Sequence, residues 1–145
     1  MRRSILVIGT ALSFLSIATQ AGATEFTGKV VRVTDGDTLR IQSTEHGTLT
    51  IRLNGLDAPE TGRTGGNAAT RFMRGLVSGQ QLRCEAVDQD RYGRIVAICY
   101  IDGRDIAALA VAAGVALDCR RYSGGRYAKF EQPGVAKKIG RRPYC

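Results

Sequence analysis

Thr27-Gly-Lys-Val-Val-Arg-Val-Thr-Asp-Gly-Asp-Thr-Leu-Arg-Ile-Gln-Ser-Thr-Glu-His-Gly-Thr-Leu-Thr-Ile-Arg-Leu53 is the stretch that decides the fold. Residues Thr27 to Val33 are rich in β-branched side chains, and alternation resumes from Thr38 to Ser43 after Asp35-Gly36-Asp37, so two strands flank a turn or bulge. His46-Gly47 then turns a hairpin, after which Leu49, Ile51 and Leu53 alternate with Thr50 and Arg52. Successive strand side chains point to opposite faces, so Arg52 leaves the core on the side away from the apolar residues.

Beyond this meander the periodicity changes. A polar, glycine-rich loop from Thr61 to Gly66 leads to Asn67, a candidate N-cap, and to Ala68, Ala69, Phe72, Met73, Leu76 and Val77 at helical spacing, with Gly79 past the end. Two further strands are expected over Gln81–Val87 and Arg94–Ile101, the second apolar from Ile95 to Ile98. A second helix is expected from about Asp105 to Ala113, stopped by Gly114. From Arg120 to Cys145 the chain is basic and rich in Gly, Tyr and Pro, with one helical candidate around Ala128–Glu131, and reads mostly as an irregular tail. Three strands, a helix, two strands and a helix give an α+β, mainly β chain: a five-stranded OB-fold barrel with two or three short helices.

The 145 residues suit one domain with a real core. At the N-terminus, Arg2 and Arg3 precede an uncharged apolar run from Ile5 to Ala18 and then Ala21-Gly22-Ala23, the pattern of a secretory signal with its cleavage site. A membrane anchor over Ser4–Ala23 is the alternative, but Ser13, Ser16, Thr19 and Gln20 dilute it. Residues 1–23 are therefore expected to be a signal peptide and 24–145 the exported domain, periplasmic or extracellular. Cleavage removes two arginines and no acid, so the net charge falls from +8 to +6. A basic domain attracts polyanions, of which nucleic acid is the commonest, although cell-surface acids or membrane lipid would satisfy the same charge.

Four cysteines, Cys84, Cys99, Cys119 and Cys145, behind an export signal imply two disulfides. A hairpin centred between Arg91 and Tyr92 would set Cys84 opposite Cys99 and leave Cys119 to pair with Cys145. A cysteine metal site is disfavoured, because no CxxC occurs and His46 is the single histidine.

Three polar clusters fall at strand ends or turns: Asp35-Gly36-Asp37, Arg52 with Asp57-Ala58-Pro59-Glu60, and Asp90-Arg91-Tyr92-Gly93-Arg94. Each alone reads as a solvated turn. Together they supply what phosphodiester cleavage needs: oxygen ligands for a hard cation, guanidinium forks for developing phosphate charge, and a carboxylate to activate water.

Val33-Thr-Asp-Gly-Asp-Thr-Leu39, Ile51-Arg-Leu-Asn-Gly-Leu-Asp-Ala-Pro-Glu-Thr61 and Asp90-Arg-Tyr-Gly-Arg94 resemble, in order and separation, the three signature blocks of the staphylococcal nuclease (thermonuclease) family. The resemblance covers about residues 26–117. It implies a Ca²⁺-dependent endonuclease that cuts DNA and RNA and leaves 3′-phosphate ends. It further implies that Asp37, Asp57 and the main-chain carbonyl of Ala58 hold Ca²⁺, with Asp35 behind them. Glu60 would be the general base or orient the water, and Arg52 and Arg94 would clamp the phosphate. Tyr92 and Tyr122 would hold the nucleotide. Arg120 stands where the family's type member has the first of two tyrosines, and Ala58 where it has a threonine; Arg120 can still stack or meet phosphate. Single strands are the expected preference of an open groove, and a monomer without membrane association the expected state. The alternative is a non-catalytic OB-fold module that binds nucleic acid or protein, although Asp37, Arg52, Asp57, Glu60 and Arg94 are all present.

Overall fold

A computed structural model describes residues 24–145; the expected signal peptide lies outside the described residues. Strands β1 (Glu25–Val33), β2 (Thr38–Ser43) and β3 (Gly47–Leu53) form the antiparallel meander. After the two-residue β4 (Leu56–Asp57) and helix α1 (Gly66–Val77) come β5 (Gln81–Gln89) and β6 (Ile95–Ile101). The sheet order is β3-β2-β1-β5-β6, and β3 pairs in parallel with β6 through Ile51↔Ile95, Arg52↔Val96 and Leu53↔Ala97. That last pairing closes the barrel, so its five strands leave no open edge. Strand β7 (Arg104–Asp105) extends the sheet and helix α2 (Ile106–Ala112) packs on β6. Among the described residues no helix is long and apolar enough to cross a membrane.

The core follows the alternation. In β2, Leu39 and Ile41 are buried while Arg40 and Gln42 are exposed. Ile51 and Leu53 join them from β3, and α1 adds Ala69, Met73 and Val77 from one face. Full burial of each Leu or Ile contributes about 1.5–3 kcal/mol. Asn67 is not the cap of α1. Gly65 takes that place in a left-handed conformation (φ 84°), with no side-chain hydrogen bond. Asp105 does cap α2, its carboxylate accepting from the N–H groups of Ala107 and Ala108.

Both expected disulfides are present, Cys84–Cys99 and Cys119–Cys145. The β5–β6 hairpin reaches that result by a different route from the one expected. Its turn is closed by Asp90 and Arg94, and Asp88 pairs with Val96, one residue out of the anticipated register. A bulge between Ala86 and Asp88 absorbs the extra residue, so Cys84 still faces Cys99.

The tail is more ordered than its composition predicts. It follows the short strand β8 (Leu117–Asp118) and contains helix α3 (Arg120–Ser123), a single 3₁₀ turn (Ala128–Phe130) and helix α4 (Val135–Ile139). Strand β8 pairs with β4, setting Asp57 opposite Leu117.

Candidate active site

The Asp35-Gly36-Asp37 turn sits against the Asp57-Ala58 segment for a steric reason. A Cβ at Gly36 would lie 2.8 Å from Cβ of Ala58 and 2.7 Å from Cβ of Ala69, so only glycine allows this approach. Two acidic motifs that are 20 residues apart in sequence are thereby pressed together. The β4–β8 pairing fixes the second of them from behind.

Asp37 is almost wholly buried. Its N–H donates to Asp35 Oδ1 (3.0 Å), its Oδ1 accepts from Thr38 Oγ1 (3.1 Å), and its Oδ2 lies 2.6 Å from Arg52 Nη1. That last contact is an ion pair without hydrogen-bond alignment, which leaves Oδ2 buried with no donor directed at it. Burial pushes the Asp37 carboxyl up to about 7; Arg52 pulls it down and Asp35 pushes it up again. A buried carboxylate so poorly compensated favours a further positive charge beside it. Arg52 does leave the core, as the alternation requires, but it lines the cleft rather than bulk water, reaching the carbonyls of Asp37 and Leu56 as well.

Arg94 is aimed by its neighbour. Asp90 accepts from its Nε (2.7 Å) and from its N–H (3.1 Å), leaving the terminal nitrogens free to face the cleft, where Nη1 comes within 3.5 Å of Thr38 Oγ1. Those backbone and side-chain donors hold the Asp90 carboxyl below the usual range despite the opposing cost of desolvation.

A cleft of 620 Å³ gathers Asp35, Asp37, Arg52, Glu60, Tyr92, Arg94 and Tyr122 along one wall of the barrel. Asp57 lines a second cavity that shares Glu60, Arg142 and Tyr144 with the first. Arg120 does not line either, so the tail places Tyr122 at the cleft and leaves Arg120 outside it. Sequence reading missed Arg142 and Tyr144. Arg142 donates through Nη2 to the Ala58 carbonyl (2.9 Å), and its Nε lies 3.2 Å from Asp57 Oδ1. The one clue to them is the disulfide, since Cys145 must end beside Cys119, which follows the strand paired with Asp57.

Among the described residues no three His, Cys, Asp or Glu side chains form a ready-made ion cage. Two buried carboxylates and a main-chain carbonyl are nevertheless an all-oxygen set, and the under-compensated Asp37 adds negative charge, so the chemistry fits a hard cation that keeps part of its water shell.

Comparison with known proteins decides the family, since the model for the staphylococcal nuclease homologue family matches residues 50–139. The chain belongs to the staphylococcal nuclease homologue family. The matched span contains Arg52, Asp57, Glu60, Arg94 and Tyr122 and stops short of Arg142. A protein named micrococcal nuclease from Shigella flexneri is 32% identical over 128 residues, covering 80% of this chain and 73% of that protein. The succinoglycan biosynthesis protein ExoI of Rhizobium meliloti is 31% identical over 94% of this chain and 75% of its own length. A protein named uncharacterized endonuclease from Escherichia coli is 37% identical over 66% of this chain, and the match spans 63% of that relative. The closed, mainly β barrel is the OB-fold of this staphylococcal nuclease homologue.

Proposed function

We propose that the protein is an exported, Ca²⁺-dependent endonuclease that hydrolyses phosphodiester bonds of DNA and RNA and leaves the phosphate on the 3′ oxygen. The observation that carries this reading is the convergence of Asp37, Arg52, Glu60 and Arg94 on one cleft, with Asp57 and the Ala58 carbonyl reached from it by a single guanidinium. The relatives named as nucleases support it.

Asp37, Asp57 and the Ala58 carbonyl would hold the ion, with Asp35 fixing the Asp37 main chain. Bound Ca²⁺ supplies a hard positive centre against the charge of the phosphate. Glu60, largely exposed in the cleft mouth, takes the proton of a water as that water attacks phosphorus. Arg94 turns its free guanidinium edge toward the phosphate oxygens as a fifth ligand crowds phosphorus, and Arg52 adds positive charge from the cleft wall. The P–O5′ bond then breaks, and the 5′ oxygen leaves with the bonding pair and takes a proton from solvent water. Tyr92 and Tyr122 are exposed aromatics beside Arg91 and Arg121, suited to stacking on splayed bases, which favours single strands. The two disulfides suit an oxidising compartment, and the enzyme acts as a monomer without membrane attachment.

The test is digestion of single-stranded DNA and RNA by the purified protein in millimolar Ca²⁺, with and without a chelator. Activity should stop on chelation, and Glu60→Gln should lower turnover by at least about a hundredfold. Cleavage that survives chelation overturns the metal assignment, and wild-type turnover in the Gln variant removes Glu60 from the chemistry.

A further inference from the structure

The atoms proposed to hold Ca²⁺ and to activate water already have a cationic partner. Arg142, three residues from the C-terminus, has Nε 3.2 Å from Asp57 Oδ1, and Nη2 2.9 Å from the Ala58 carbonyl and 3.4 Å from Glu60 Oε1. Its own N–H donates to Asp57 Oδ2 at 3.0 Å, so main chain and side chain dock on the same carboxylate. We infer that Arg142 is a built-in competitor for the divalent ion: it fills the Asp57–Ala58 cradle with its own positive charge and has to leave before Ca²⁺ is held there. The inference rests on the calcium reading above and adds the regulation of that site.

The exclusion is steric and electrostatic. Calcium sits about 2.3–2.6 Å from its oxygen ligands, in the space a guanidinium about 3 Å from the same oxygens takes up, and two cations that close repel strongly in a partly desolvated site. Asp57 is buried, so whichever cation occupies the cradle is poorly screened by water.

The segment that carries Arg142 is anchored on both sides. Arg141 donates from Nη2 to both carboxylate oxygens of Glu131 (2.8 and 2.9 Å) and from Nη1 to the Asp118 carbonyl. Cys145 is tied to the buried Cys119. Tyr144 accepts from Arg142 Nη1 at 3.0 Å and so steadies the docked rotamer. Release therefore needs only residue 142 and its immediate main chain to move. The disulfide keeps the displaced guanidinium at the mouth of the cleft, at an effective concentration on the order of millimolar. A docked fraction of nine in ten would weaken the apparent ion affinity about tenfold, because the ion binds only the undocked remainder.

The experiment measures Ca²⁺ binding to the nucleotide-free protein by calorimetry, in the wild type, Arg142→Ala and Arg142→Lys, together with hydrogen exchange of the Arg142 amide in the wild type. Arg142→Ala should bind Ca²⁺ about tenfold more tightly. Arg142→Lys should fall between, since lysine keeps the charge but loses the fork. In the wild type, saturating Ca²⁺ should speed exchange of the Arg142 amide by freeing it from Asp57, a readout that stands even if a variant fails to fold. Equal affinity in Arg142→Ala, or an Arg142 amide equally protected with and without Ca²⁺, overturns the competition while leaving the calcium site intact. Absence of Ca²⁺ binding in every form overturns the calcium reading and this inference with it.

Discussion

The barrel and the tail that follows it are held by different physics. Residues 25–118 are fixed by a continuous apolar interior, in which Val30, Leu39, Ile41, Ile51, Leu53, Met73, Val77 and Ile106 pack from both sheet and helices. Residues 119–145 contribute little to that interior and are pinned at separate points: Cys119–Cys145, Arg141 on Glu131, Arg142 on Asp57, and one buried ring, Tyr127. A distributed core tolerates the weakening of any one contact among many, whereas a pinned strap is only as well placed as its pins. That contrast also assigns their roles. The barrel presents Asp37, Arg52 and Arg94 from rigid strands and turns, and the tail brings in the groups that can change position.

The contrast is tested most severely in the barrel. Leu39 is fully buried, and Leu39→Ala should lower the unfolding free energy by about 2–5 kcal/mol through lost burial and the cavity left behind. Urea denaturation reads this directly, and an unchanged midpoint would show that the interior is not the shared support described here. The pins come next. Replacing Cys119 and Cys145 together by Ala releases a crosslink between residues 26 apart in sequence, which is worth about 3 kcal/mol in the loop-entropy picture. Amides of residues 141–145 should lose their exchange protection before those of β5 and β6 do. Loss of protection in both regions together would mean that tail and barrel open as one unit.

The same contrast explains what could be read from the sequence. Alternation in β2 and β3 and the apolar face of α1 are local patterns, so the barrel order and the exit of Arg52 from the core were legible. The Cys84–Cys99 pair was legible too, but the turn is centred on Tyr92 rather than between Arg91 and Tyr92, which shifts the register by one residue, and a bulge near Val87 restores the pairing. No local signal announces such a bulge, which sits just past Glu85, the last residue of β5 paired with β1, where only the pairing with β6 continues. Gly65 displaces Asn67 as the cap of α1 for a similar reason, since the helix start is fixed by packing rather than by its best capping side chain. The motifs located the cleft residues on the barrel. Arg142 and Tyr144 lie in a stretch without periodicity, and their place depends on a disulfide and on a two-residue strand pair. In the one-turn helix α3, Tyr122 lines the cleft and Arg120 lines neither cavity, a placement set by the tail's own path rather than by any local pattern.

The smallest effect expected is at Tyr127, where tail and barrel physics meet. Its ring is buried, and its hydroxyl donates to Asp105 Oδ2 at 3.0 Å, the same carboxylate whose Oδ1 caps α2. Tyr127→Phe keeps the ring and removes the donor, so stability should fall by only about 1 kcal/mol. Burial, and then the neighbouring Asp105 charge, push the Tyr127 phenol well above its ordinary value of about 10. The sign follows from where the proton is held. Above about pH 10 the unfolded chain releases this proton while the folded chain keeps it, so the group favours folding fully below that pH and progressively less as pH rises past it. The wild type should therefore lose stability between pH 10 and pH 11 faster than Tyr127→Phe, and the gap between the two denaturation midpoints should narrow. Parallel losses across that range would show that the phenol is free to ionise in the folded state. The tail would then be held to the barrel by its disulfide and ion pairs without this buried hydrogen bond.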